Sequence, residues 1–238
     1  MRNLATLTKR ELVAYFLSPM AYIILTVFIL LSGYLFFEII SRIRQAEMTG
    51  LIGFMGWLLL SVSPMLTMRL FADEFQSGTI ETLMTAPVTT LEVVLSKYLA
   101  SLMFLLVMIA PTMLYAAILF HYAEPDPGPI VAGYFGLFLL GGFYLAVGMV
   151  ASACVRTQVS AAIVTFIVLL TLFILGSLVG RDAVDPLSKA LRYISFYDHF
   201  FEDFTKGVVD TRHVVYFLTM SLFCIFLTTV VVTVRRWR

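Results

Sequence analysis

RLFADEFQSGTIETLMTAPVTTLEVVLSKYLA, residues 69–100, is the longest polar interruption near the start of an otherwise apolar chain. Its spacing predicts two short helices joined at a bend. In the first, Ile80, Leu83 and Met84 fall on one stripe at i, i+3 and i+4, leaving Glu74, Gln76 and Glu81 in water. Pro87 stops it, because proline has no N–H to donate and its ring clashes with the preceding turn. In the second, Thr89 and Glu92 have the spacing of a capping box, and Leu91, Val94, Leu95, Tyr98 and Leu99 recur at helical spacing as the chain enters a long apolar run. A short amphipathic helix strung between two such runs needs a surface for its stripe, either lipid headgroups or a partner protein.

Outward from this stretch the chain divides into six apolar runs, residues 21–37, 51–68, 98–120, 130–155, 159–180 and 214–234. Each approaches or exceeds the ~17–25 residues that cross a bilayer as a helix. A composition of 61% hydrophobic residues, with 21 Phe and only 13% charged residues, describes a multi-pass membrane protein and not a soluble domain of 238 residues. The first run is too long for a cleaved leader and follows a basic segment, so it reads as a signal anchor. No basic stripe supports nucleic-acid binding. Cys154 and Cys224 sit in apolar runs and read as small buried hydrophobes, and His121, His199 and His213 lack metal-ligand spacing, so no metal site is expected.

Residues 1–17 project as an amphipathic interfacial helix, with Leu4, Leu12, Tyr15 and Phe16 opposite Arg2, Lys9 and Arg10. Glu11 falls within the apolar arc, as an edge residue or as a contact to a partner. Ser18 and Pro19 end this helix. Six spans put both termini on one side, and the basic residues at both ends favour the cytoplasm. Inner segments then carry nine Lys or Arg and outer segments seven, a modest positive-inside bias.

The six runs, as bounded above, contain no Asp, Glu, Lys or Arg and no His. Ion-coupled carriers place titratable groups inside the membrane. Only Glu38, at the outer edge of the first run, comes near, so any energy source is expected from outside the chain. Pro64 and Pro111 predict kinks in the second and third spans. Small residues cluster in the fourth and fifth, among them Gly133, Gly136, Gly141, Gly142, Gly148 and Ser152, and permit close helix contact within the subunit or across a dimer. Residues 181–213 place Leu187, Leu191, Ile194, Tyr197, Phe201 and Phe204 at helical spacing among acidic residues, which predicts short helices at the outer interface.

The run of Glu74, Gly78, Thr79, Glu81, Leu83 and Pro87 resembles the cytoplasmic coupling region of ABC type-2 permeases, the membrane subunits of ATP-driven exporters. KRELVAYFLSPMAYIIL, residues 9–25, and the span layout extend the resemblance over essentially the full chain, closest in appearance to gliding-motility-type permeases. The resemblance implies an all-α integral membrane protein, residues 1–238 forming a single transmembrane domain. Its six helices take the ABC type-2 (type V) exporter arrangement, with the N-terminal interfacial helix, a coupling region at 69–97 and outer helices at 181–213. It further implies that Glu74, Gly78, Thr79, Ile80, Glu81, Leu83, Met84 and Pro87 contact an ATPase. Phe54, Trp57, Ser61 and Met65, on one face of the second span, either border a translocation path near a dimer axis or simply pack. Tyr193, Tyr197, Phe200 and Phe201 form either an outer gate or an interfacial aromatic belt.

The expected partners are two copies of an ABC ATPase carrying ATP and Mg, a second permease subunit, the same or related, and membrane lipid. The expected location is the bacterial cytoplasmic (inner) membrane. The chain has no phosphate-binding loop, since Lys9, Lys97, Lys189 and Lys206 are followed by Arg, Tyr, Ala and Gly and not by Ser or Thr. No catalytic residue and no bound cofactor are therefore expected. An intramembrane enzyme is disfavoured because the spans lack a catalytic constellation. A membrane anchor or scaffold that recruits a cytosolic partner without transporting anything is the alternative.

Overall fold

A computed structural model describes residues 2–43, 48–77, 89–123, 125–178 and 195–236. Among them there is no strand. The helices are α1 (Arg2–Leu17), α2 (Pro19–Ile43), α3 (Thr49–Thr67), α4 (Ala72–Ser77), α5 (Thr90–Ile109), α6 (Met113–Tyr122), α7 (Pro127–Cys154), α8 (Gln158–Leu178) and α9 (Thr211–Arg236). Six stretches are long and apolar enough to cross a membrane: Pro19–Ser41, Thr49–Gln76, Thr90–Tyr122, Pro127–Cys154, Gln158–Ser177 and Thr211–Arg235.

α7 is the central helix. Asp126 caps its first turn by accepting from Gly128 N at 3.0 Å, and Pro127 fits there because a first-turn N–H has no helical partner. From Ile130 to Ala153 it is buried on nearly every side, against α3, α5, α8 and α9. Lipid is as apolar as a leucine, so what draws helices together in a bilayer is close packing, and glycine permits it. A Cβ at Gly133 would lie 2.5 Å from Ile52 Cδ1, one at Gly136 2.6 Å from Phe204 Cγ, and one at Gly141 2.6 Å from Leu105 Cδ2. The small residues of this span therefore serve contacts within the subunit. By contrast α2, α8 and α9 turn large apolar side chains outward, such as Leu30, Ile167 and Phe226.

The two prolines behave differently. At Pro111 the third span narrows to a 3₁₀ turn, Ala110–Thr112, between α5 and α6, and Tyr134 Oη donates to the Thr112 carbonyl at 2.6 Å. Pro64 lies inside α3, which stays helical to Thr67.

The two ends of the bundle are distinct. At one end α1 turns into α2 at Ser18, whose N–H donates to Tyr15 O at 3.1 Å, and Tyr15 Oη donates to Leu66 O at 3.0 Å. Arg235, near the last turn of α9, donates to the carbonyls of Cys154 and Val155 at the end of α7. Cys154 is exposed there, not buried as its apolar surroundings in the sequence suggest, because it occupies the last position of α7. At the opposite end lie the beginnings of α3, α7 and α9, together with a π-helical turn, Asp198–Asp203, and a 3₁₀ turn, Phe204–Lys206. Gly207 ends the latter at φ 87°, a left-handed conformation that suits glycine, and its Cα faces the Pro129 backbone.

Candidate functional site

The end of the bundle that holds the N-terminus is organised by a buried lysine. The capping box at the start of α5 is formed: Thr89 N donates to Glu92 Oε2 at 2.9 Å, and Glu92 N donates to Thr89 Oγ1 at 3.3 Å. The helix of the third span thus begins at Thr90, ahead of the apolar run that starts at Tyr98, and takes Glu92 and Lys97 with it. This corrects the expectation that no spanning helix carries a charge. Lys97 is 2% exposed. Its Nζ donates to Glu74 Oε1 at 2.7 Å and to Glu11 Oε2 at 3.2 Å, and lies 5.3 Å from the Phe71 ring centre.

Two sequence expectations change accordingly. Glu74 is half-buried and ion-paired within the chain, not held in water. Glu11, the exception on the apolar arc of α1, finds its contact in Lys97 and also accepts from Arg10 Nη2 at 2.8 Å. Burial pushes the Glu11 carboxyl up, but the neighbouring charge of Lys97 and the hydrogen bond and charge of Arg10 outweigh it and hold the group below its ordinary value. The same network ties α1 to α5: Tyr15 stacks on Phe104 at 5.2 Å, and burial raises its phenol.

α4 is short and does not stand by itself. Its first N–H groups are met from another span, with Phe71 N and Ala72 N donating to Ser152 Oγ at 3.1 and 3.2 Å. Phe75 lies under the Arg235 guanidinium at 4.6 Å. Three spanning helices, α5, α7 and α9, therefore grip the segment that leads out of the second span. Gly78, Thr79, Ile80, Glu81, Leu83, Met84 and Pro87 lie outside the described residues. Ser152, Lys97 and Arg235 went unread as site residues, since only spatial neighbours reveal them. The one sequence clue was that Lys97 falls within the helical repeat opened by the capping box.

At the opposite end the aromatic residues before α9 turn inward. Phe196, Phe200 and Phe204 are fully buried, and the Phe200 ring occupies the space beside Gly56 that a Cβ would need. Phe200 is therefore a core residue, a correction to the reading of this segment as lying on an interface. Tyr197 and Phe201 are half-buried, stack on each other at 5.4 Å, and both meet Phe173 edge-on at 5.3 and 5.6 Å. Tyr193 lies outside the described residues. A chain of polar contacts unseen in the sequence joins this segment to α9: His213 Nε2 lies 2.9 Å from Asp203 Oδ2, and His213 Nδ1 lies 2.6 Å from Nδ1 of the buried His199. Among the described residues no group of three or more His, Cys, Asp or Glu could hold a metal ion.

The third set, on α3, is exposed on one side. Trp57 and Met65 are each 46% exposed, while Phe54 and Ser61 are half-buried. Trp57 meets Phe173 edge-on at 6.0 Å. Phe173 thus joins the candidate path residues on α3 to the candidate gate pair Tyr197 and Phe201, a connection between two sets that the sequence presents separately.

An all-α bundle of six spanning helices, with an amphipathic helix before the first and a polar segment between the second and third, defines a multi-pass membrane protein of permease type. The family model described as ABC-2 type transporter matches residues 2–209, and the chain belongs to that family. No curated protein matches it. Membership makes the chain a permease subunit and implies an ABC ATPase as its partner.

Proposed function

We propose that the chain forms half of the translocation path of an ATP-driven exporter, as one of two permease subunits served by two ATPase subunits. Both termini and the 69–97 region face the cytoplasm in this reading, in the inner membrane of a bacterium, and ATP and Mg are bound by the ATPases alone. The observation that carries it is the grip on α4. The segment that leaves the second span is pinned by Lys97 of the third span, Ser152 of the fourth and Arg235 of the sixth. A partner that moves residues 78–88 then pulls on several spans together, and a two-state partner biases two span arrangements only through such a contact.

Within this reading Ile80, Leu83 and Met84 dock on the ATPase, with Gly78, Thr79, Glu81 and Pro87 shaping the turn and its polar rim. Glu74 serves from behind, as the inner anchor of that segment. Trp57, Met65, Phe54 and Ser61 border the path, and Phe173 links them to Tyr197 and Phe201, which close it at the outer end. The test is Leu83→Asp. Normal membrane insertion with lost ATPase association, or with hydrolysis uncoupled from transport, is the expected result. Wild-type association and coupling in a normally inserted variant refutes the assignment of residues 78–87 as the coupling contact, whereas ATPase association with no transport in the wild-type protein would favour the scaffold reading.

A further inference from the structure

A cavity of about 270 Å³ opens between α1, α2, α3, α4 and α5 at the end of the bundle that holds the N-terminus. Its wall is divided by chemistry. Met20, Ala21 and Ile24 from the first turns of α2, with Met65 and Leu66 from the last turn of α3, make one side apolar. Glu11, Ser18, Arg69, Asp73, Glu74 and Lys97 bring its polar groups. The boundary falls where α2 begins and α3 ends, the depth at which a lipid changes from acyl chain to headgroup.

The charges are arranged for a zwitterion. Arg69 is exposed, donates to Ser18 Oγ at 2.7 Å, and has no ion-pair partner among the described residues. A guanidinium so placed offers its remaining N–H donors to a phosphodiester. Beside it the carboxylates of Glu11, Asp73 and Glu74 line the same cavity; Lys97 bridges Glu11 and Glu74, Arg10 pairs with Glu11 from outside the lining, and Glu74 Oε2 is buried without a hydrogen-bond partner among the described residues. That side suits a primary ammonium, which brings three N–H donors. A choline headgroup has none to give, and a glycerol headgroup brings no cation to this carboxylate-rich lining.

We propose that this cavity binds one ethanolamine phospholipid, its phosphate on Arg69, its ammonium on the Glu11–Glu74 side and its first acyl carbons along Met20, Ile24 and Met65. The lipid then wedges α1 against the second span beside the buried Lys97.

The test is native mass spectrometry of the full-length chain, purified in mild detergent with any subunit that accompanies it. Ethanolamine, choline and glycerol phospholipids with the same acyl chains are added in equal amounts. One ethanolamine lipid per chain is expected to survive collisional activation that strips the other two. Arg69→Gln should lower that retention about tenfold, as loss of a charge-assisted contact does. Glu74→Gln should remove the preference for ethanolamine over choline. Met65→Trp, at an exposed position on the apolar side, should block the cavity without touching any charge, and gel filtration checks that each variant stays monodisperse. Equal retention of the three lipids, or ethanolamine retention unchanged in monodisperse Arg69→Gln and Met65→Trp proteins, overturns the proposal.

Discussion

Replacing Lys97 by Met removes the buried cation that bridges Glu11 and Glu74 while keeping the length of the side chain. Breaking a buried ion pair by deleting one partner costs about 3–5 kcal/mol, because the charge left behind stays desolvated. Here Glu74 is stranded and Glu11 keeps only Arg10, and their side chains retain 18% and 15% exposure against 3% for the lysine, so partial rehydration places the cost near the lower end, about 3 kcal/mol. For a chain of this size that corresponds to a melting point lowered by roughly 6–12 °C. The assay is thermal unfolding of the purified protein in detergent, with tryptic cleavage after Lys9 and Arg10 reporting whether α1 stays docked. Adding Glu11→Gln and Glu74→Gln to Lys97→Met should restore most of the loss, since no buried charge then lacks a partner. A Lys97→Met protein that melts within about 2 °C of wild type, or a triple variant no more stable than the single, refutes the account of Lys97 as an electrostatic clamp.

Acidification probes the same network: the Glu11 carboxyl is held below its ordinary value when folded, so its contribution is present above the unfolded value and lost as pH falls through the folded one. The melting point should therefore fall only below the ordinary carboxylate range, and should fall less there in Glu11→Gln. Phe200→Ala, which empties a fully buried site, should cost about 3–5 kcal/mol, whereas Tyr197→Ala should cost less and act on transport; equal stability losses would undo the division between core and gate. Gly136→Ala, against Phe204, should lower stability by about 1–3 kcal/mol, and Gly142→Ala, whose nearest side-chain atoms are 3.3 Å from the added Cβ, should cost less in the same melt. In a background lacking Cys154 and Cys224, a cysteine at Val209 should react with an impermeant thiol reagent in intact cells and one at Gln76 should not; the reverse pattern would invert the membrane orientation.

The architecture was legible because a bilayer imposes it on any sequence. Runs such as 130–155 and 214–234 have to be helices of spanning length, since no water is present to satisfy an exposed backbone. The start of α5 was legible to the residue, because Thr89 and Glu92 satisfy backbone groups within three positions of each other and need no tertiary partner. What sequence left open were the contacts made at long separation. Whether Glu11 was an edge residue or a contact depended on Lys97, 86 positions away, and whether α4 had a cap depended on Ser152, on a different span. Phe200 and Tyr197 were read together as one aromatic set, yet one ring fills the space beside Gly56 of α3 and the other stays half-buried, a difference decided by how this segment packs on the spans. Periodicity reports which face of a helix is apolar; only the packed bundle decides whether that face meets lipid, another span or a buried charge.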